Sequence, residues 1–319
     1  MFRFPTALGA LALLLLPVAA QTPAPSAAGA ALYDQGRYEE AKHALLPLPN
    51  DPQALFTLGR IALVQNDAAK AADYLEKAVA KAPNNANYHF WLGQAYGTQA
   101  QRASLFGQAS LAKKTQAEFE RAVELDGNNL DARSGLMEYY LLAPGIMGGS
   151  DDKALAQATE IRKRDAFEGH QAFGRIYAHD KKMDLARNEY IAAVREQPSS
   201  PKTHYSLGTF YLLEKNYKAA LEEMDAALQL DASYMPAVFQ VGHLAVLSSS
   251  NFVRGEESLR RYVAHAPKAG EPPLGRAYFW LGGIYEKQGK KAEARANYAQ
   301  ALKLNPGAKD VAEAMKRVE

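Results

Sequence analysis

The chain has no cysteine among its 319 residues. That excludes disulfides, thiolate metal sites, cysteine nucleophiles and c-type haem attachment. It also lacks an excess of charge of either sign, with 37 Lys and Arg against 35 Asp and Glu. A dedicated nucleic-acid binder normally carries a strong basic surplus, so no nucleic-acid partner is expected. No internal apolar run reaches the ~20 residues of a membrane-spanning helix, so no stable membrane insertion is expected. Catalytic signatures are missing as well: there is no His-Glu-x-x-His, nucleophile elbow or calcium loop. Ser110-Leu111-Ala112-Lys113 has the Ser-x-x-Lys spacing of penicillin-recognising enzymes, but the companion Ser-Asp-Asn and Lys-Thr-Gly motifs are absent. The expectation is a protein that is not an enzyme and needs no cofactor and no metal.

The N-terminus has the layout of an export signal. Arg3 supplies the positive start, Leu13-Leu14-Leu15-Leu16 the apolar centre, and Val18-Ala19-Ala20 the small residues of a cleavage site before Gln21. Residues 1–20 therefore read as a signal peptide cut after Ala20, placing the mature chain in a periplasm or outside the cell. Removing them takes away Arg3 alone from the charges, leaving 36 basic against 35 acidic residues. Residues 21–27, rich in Ala and Pro, read as a flexible leader.

The rest of the chain, 28–319, repeats. Gly59, Gly93, Gly135, Gly174, Gly208, Gly242 and Gly282 sit in similar apolar contexts, three of the intervals being 34 residues and the others 42, 39 and 40. Leu92-Gly93-Gln94-Ala95-Tyr96, Leu207-Gly208-Thr209-Phe210-Tyr211 and Leu281-Gly282-Gly283-Ile284-Tyr285 share one text. Twelve residues after the glycine comes alanine (Ala71, Ala186, Ala220, Ala294), four later a large residue (Leu75, Tyr190, Met224, Tyr298), then alanine again and often a closing proline. Apolar residues at three- and four-residue spacing make helices with one apolar stripe. Two such helices per unit cannot bury their own stripes, so units must stack.

This pattern resembles the tetratricopeptide repeat. The resemblance implies an all-α fold, a right-handed superhelical solenoid of about eight helix-turn-helix repeats closed by a capping helix from about Ala308 to Val318. Units are expected to begin near Ala28, Asp51, Ala86, Asn129, Phe167, Pro201, Met235 and Gly275. Insertions are expected near 98–114, lengthening a helix pair, at 143–152, where Ser150 should cap a helix, and at 268–274 as a Pro/Gly-rich surface loop. The resemblance further implies protein or peptide partners held on a concave surface. The lysine–asparagine clamp with which some relatives hold a C-terminal carboxylate is absent.

His89, His170 and His204 all lie four residues before a repeat glycine. That slot packs in the core, and packed, hydrogen-bonded histidines are expected there rather than metal ligands. On the first helix of each unit, positions three before and one after the glycine fall on a separate face. In the tetratricopeptide family similar positions line the concave groove. The expected partner-binding residues are Phe56, Arg60, Phe90, Trp91, Gln94, Arg133, Arg175, Tyr205, Phe239, His243, Phe279 and Trp280. Aromatic rings and arginines dominate interface hot spots. The same aromatics equally suit packing against the neighbouring repeat. The favoured function is a scaffold or adaptor using this groove. The rival is a structural subunit of an envelope complex, held by its insertions or convex face.

Overall fold

A computed structural model describes residues 24–265 and 267–319, with residues 105 and 106 described by their backbone alone. The expected signal peptide and the first residues of the leader lie outside the described residues. Within them the chain forms seventeen α-helices, one short 3-10 turn and no strand. The helices pair as α1 (Pro25–Asp34) with α2 (Tyr38–Leu45), α3 (Pro52–Val64) with α4 (Ala68–Lys81), and α5 (Ala86–Ala100) with α6 (Leu105–Leu125). Then follow α7 (Leu130–Leu142) with α8 (Asp151–Arg164), α9 (Ala166–His179) with α10 (Met183–Glu196), and α11 (Pro201–Leu213) with α12 (Tyr217–Leu230). The last pairs are α13 (Met235–Ser248) with α14 (Phe252–Ala264) and α15 (Leu274–Lys287) with α16 (Lys291–Leu304), capped by α17 (Lys309–Arg317). Eight pairs and a cap make the expected all-α solenoid. The helix α1 begins at Pro25, inside the stretch expected as leader. Proline is tolerated at a helix start, and Ser26 and Gly29 are buried against the first unit, which holds this end in place.

The repeating text is the imprint of one contact. In each unit the large residue of the second helix presses into the hole left by the glycine of the first. A Cβ built on Gly59 would lie 2.5 Å from Leu75, on Gly174 2.7 Å from Tyr190, on Gly208 2.6 Å from Met224 and on Gly282 2.4 Å from Tyr298. Gly29 with Leu45 and Gly93 with Phe119 repeat the arrangement. Burying a leucine-sized knob is worth about 1.5–3 kcal/mol, and each unit makes this contact internally. The fourth unit departs: Gly135 faces Phe119 and Phe90 of the preceding unit.

Helix ends follow the sequence. Asp51, Asp67, Asn85, Asn129, Ser150, Asp165 and Asn216 accept a backbone N–H at their helix starts. In five of the eight pairs the chain turns through a single left-handed residue: Gly36, Asn66, Lys181, Lys215 or Gly289.

First helices of successive units touch, α1 with α3, α3 with α5, α5 with α7 and α7 with α9, then α11 with α13 and α13 with α15. No contact of that strength joins two second helices among the described residues. The first helices therefore form the tighter, concave row and the second helices the splayed, convex one. The array also comes round on itself. The carbonyl oxygen of Pro267 lies 2.3 Å from where a Cβ on Gly36 would stand, and Ala269 packs into the cluster of Tyr33, Ala41, Leu45 and Leu58. The loop after the seventh unit thus rests on the first. Gly36→Ala is expected to push this loop off, seen as faster tryptic cleavage at Lys268 with little change in helical circular dichroism.

Candidate functional site on the concave row

The concave row does not expose all of the expected residues. Phe56 is buried, stacked on Tyr88 of the next unit with ring centroids 4.7 Å apart. Phe90 is buried against Phe119 at 5.9 Å, and Phe239 against Tyr262 at 5.2 Å. In each of the three a neighbouring helix withdraws the ring from solvent: that of the next unit for Phe56, the second helix of its own unit for Phe90 and Phe239. Arg133 is also buried. Its Nε donates to the Gly127 carbonyl at 2.7 Å and its Nη1 to Gln157 at 2.9 Å. Burial lowers its pKa, and the charge of Arg164 adds to this. It stitches the turn before α7 to α8. These four residues are structural, and the expectation that they face a partner is corrected.

The other eight are half-exposed and fall into groups. Near the N-terminal end, Arg60 on α3 lies with its guanidinium carbon 4.1 Å from the Tyr33 ring centroid, 4.8 Å from Trp91 and 5.4 Å from Phe56. Three rings at this range make a cation–π cage. Its Nε is buried without a hydrogen-bond partner. Burial raises the Tyr33 pKa, and the positive charge of Arg60 opposes that rise. Gln94, one turn after Trp91 on the groove side, lines a cleft of about 350 Å³ between α5, α6 and α7, with Thr98, Gln101, Glu138, Tyr139 and Met147.

In the middle of the row Arg175 pairs with Glu138 at 2.7 Å, and Tyr205 meets Tyr234 edge-on at 5.6 Å. At the C-terminal end His243 stacks on Trp280 with centroids 4.1 Å apart. Phe279 touches Trp280 edge-on at 4.7 Å. Arg276 lies over both, 4.5 Å from Phe279 and 5.2 Å from Trp280, and forms an ion pair with Asp310. The His243 pKa falls to about 4, first because the ring is desolvated and second because Arg276 is near.

Tyr33, Glu138 and Arg276 belong to these groups and were not among the expected residues. Arg276 lies one helical turn before Trp280, and Tyr33 one turn after Gly29. Those two spacings are signals of their presence.

The histidines at the packing slot are bonded as expected. His89 meets Glu118 at 2.6 Å and the Pro83 carbonyl at 2.9 Å. His204 meets Glu223 at 2.7 Å and the Pro198 carbonyl at 3.0 Å, and His170 meets Glu189 at 2.6 Å. Among the described residues no group of three metal-ligating side chains converges, and no helix is long and apolar enough to cross a membrane.

Comparison with known proteins agrees with this geometry. No curated protein sequence matches the chain. Among solved structures, yeast Tom70 superposes with a TM-score of 0.68 at 15% identity, over 92% of this chain and 62% of that one. The human IFIT1 dimer with PPP-AAAA gives 0.54 at 16% identity, over 91% and 72%. The thermophilic repeat protein TTC0263 of Thermus thermophilus gives 0.50 at 22% identity, over 59% of this chain and 97% of its own. At such identities these likenesses speak for the fold. Family models of the tetratricopeptide repeat match residues 26–86, 56–104 and 172–234 in one form and 275–308 in another, together more than half of the chain. With seven of its eight units closed by the same glycine-and-knob contact, the chain belongs to the tetratricopeptide-repeat family.

Proposed function

We propose that the protein is an exported adaptor that holds polypeptide partners along its concave row. Tetratricopeptide-repeat proteins are, as a class, protein–protein interaction scaffolds. The observation that carries the reading is the half-exposed row of Arg60, Trp91, Gln94, His243, Phe279 and Trp280 on first helices. Rigid aromatic faces bury large area at low entropic cost, and the arginine and glutamine supply oriented polar contacts. Export rests on residues 1–20; the full chain made in a Gram-negative host should be recovered from the periplasm with Gln21 as its first residue.

The test is quantitative capture from a periplasmic extract by the mature protein and by a Trp91→Ala, Trp280→Ala variant shown to be folded. Both rings are partly exposed, so their loss should cost partner affinity, about 2 kcal/mol for each ring that is a hot spot, more than stability. Specific partners that the variant loses support the groove. Equal capture by both proteins moves the contact elsewhere.

One observation favours a second reading, a structural subunit docked by its insertions. Ile146 in the loop 143–152 is 94% exposed and Leu142 beside it 68%. The loop is nonetheless fixed: Tyr139 donates to the Met147 carbonyl, and Ser150 N–H donates to the Tyr140 carbonyl at 2.8 Å. Under this reading Ile146→Asp abolishes capture and the tryptophan variant does not.

A further inference from the structure

We propose that the cleft between α5, α6 and α7, with the loop beside it, is a face on which a second copy of this chain docks, each copy placing Ile146 in the cleft of the other. This goes beyond the groove reading and gives the exposed loop of the second reading a partner. Both walls of the cleft come from departures from the repeat. The helix α6 has 21 residues against 14 in α4, α8 and α10, and its first half supplies Gln108 and Ala112. The loop 143–152 supplies Ala143, Pro144 and Met147. An ordinary unit of the array has neither wall.

Knob and hole stand side by side on this face. Ile146 is 94% exposed and sits in sequence between Pro144 and Met147, which line the cleft. It is held up rather than loose: the N–H groups of Met147 and Gly149 donate to the Pro144 carbonyl at 2.8 and 3.2 Å, and Gly148 turns the chain in the left-handed conformation. A knob already fixed gives up little freedom on docking. The cleft, of about 350 Å³, has an apolar floor of Ala112, Phe119, Leu142 and Met147. A twofold contact is isologous, so one patch must carry both the projection and the recess that receives it. This patch carries both. The charges point the same way. Among the described residues that line the cleft Glu138 alone is charged, and Arg175 neutralises it at 2.7 Å. On a twofold face an unpaired charge can meet its own like, so a copy calls for a neutral lining, whereas a different partner can be selected by charge. The glutamines of the lining, Gln94, Gln101 and Gln108, fit as well. An amide carries donors and an acceptor and can pair with its own copy.

The experiment is sedimentation velocity of the mature full chain from about 1 to 100 μM, where small interfaces dissociate. The parent should pass from monomer to dimer across this range. Ile146→Ser removes the knob without adding charge, and at so exposed a position it leaves the fold alone. It should weaken association about a hundredfold, about tenfold for each of the two knobs that a symmetric contact loses. Thr98→Trp blocks the hole from α5. The Thr98 hydroxyl bonds only to the Gln94 carbonyl of its own helix, and Gln108→Trp blocks the same cleft from α6 should the first variant fail to fold. The decisive sample is the mixture. Neither variant alone can make an insertion, but a mixed pair makes one, the knob of the blocked chain in the hole of the knobless one. It should associate about tenfold more weakly than the parent and clearly more tightly than either variant alone. A dimer that survives Ile146→Ser overturns the inference, as does a mixture no tighter than its components. A parent that stays monomeric throughout also overturns it. If Ile146→Asp nonetheless abolishes capture from the extract, the second reading stands with a different protein on this face, and if capture is unchanged both fall. The groove reading is separate, since the Trp91→Ala, Trp280→Ala variant should still dimerise like the parent.

Discussion

Gly242→Ala is expected to destabilise the protein by about 2 kcal/mol, despite placing the best helix former in the middle of a helix. The new Cβ would stand 2.1 Å from Leu259 Cγ and 2.7 Å from both of its methyl carbons. Leu259 is fully buried, so it cannot swing aside into water. Either α13 and α14 move apart or the leucine leaves its rotamer, and both open voids in the cluster that also holds Phe239, Tyr262 and Ile284. Gly255 of α14 offers no relief, since its own Cβ position is 2.4 Å from Ala245. The measurement is the urea midpoint followed by helical circular dichroism. Gly275→Ala is the control. Its Cβ would meet only ordinary contacts at 3.6 Å, so the same substitution should be neutral or stabilise by about 0.5 kcal/mol through the unfolded chain. A second check is coupling. Leu259→Ala alone should cost about 2–5 kcal/mol for the cavity. Combined with Gly242→Ala it should cost less than the two single losses together, because the added methyl fills part of that cavity. Additive losses would show that the glycine is not the hole for this knob.

The same contact explains how much of the fold was legible in the amino-acid order. Hole and knob both lie within one unit, so a glycine with a large residue sixteen or so positions later records a local packing event. Its recurrence along the chain revealed the number of units and their phase. The fourth unit was irregular in sequence because Gly135 takes its knob from Phe119 of the preceding unit, a relation no single-unit pattern carries. The closure of the loop at Pro267 and Ala269 onto the first unit was not legible at all. It depends on the small rotation between units accumulated over the intervening array, and nothing near Gly36 records it.

The concave row was half legible for a related reason. Helical geometry places Phe56, Phe90 and Phe239 on the groove side of their own helices, but says nothing of how near the next helix comes. Where a neighbouring helix closes over that side the ring is buried: Phe56 packs on Tyr88 of the next unit, and Phe90 and Phe239 pack on Phe119 and Tyr262 of their own. Arg60 and Trp91, and His243 and Trp280, also meet across neighbouring first helices, but each keeps part of its side chain exposed. Arg133 failed as a groove residue because its long stem reaches back to the Gly127 carbonyl. Its length, rather than its position on the helix, decides where its charge ends up.

Between pH 6.5 and about 4 the protein is expected to lose about 2 kcal/mol of stability that His243→Gln does not lose. The histidine pKa falls from 6.5 to about 4, through desolvation first and the Arg276 charge second. A folded-state value below the unfolded one means that the unfolded chain binds the proton more tightly. Stability from the neutral ring is therefore present above pH 6.5 and lost as the pH falls towards 4. The full shift corresponds to about 3 kcal/mol. Stacking of the imidazolium on Trp280, a cation–π contact worth about 0.5–1 kcal/mol, returns part of that. His243 is singled out by its surroundings. His89, His170, His204 and His265 each face a glutamate and His179 faces Asp180, whereas His243 faces Gln240, Trp280 and Arg276. The carboxylate of Asp310, at the far side of Arg276, is already occupied by that arginine. Carboxylates held below their usual range by partners, Glu256 and Glu286 among them, lose their contribution only below about pH 4.5, so the two effects separate. Thermal melts of the parent and His243→Gln at half-unit pH steps read the difference directly. Curves that converge as the pH falls from 6.5 to 4.5 bear out a neutral histidine wedged between an indole and a guanidinium, and parallel curves would mean that the ring accepts its proton without strain and that acid leaves this end of the groove intact.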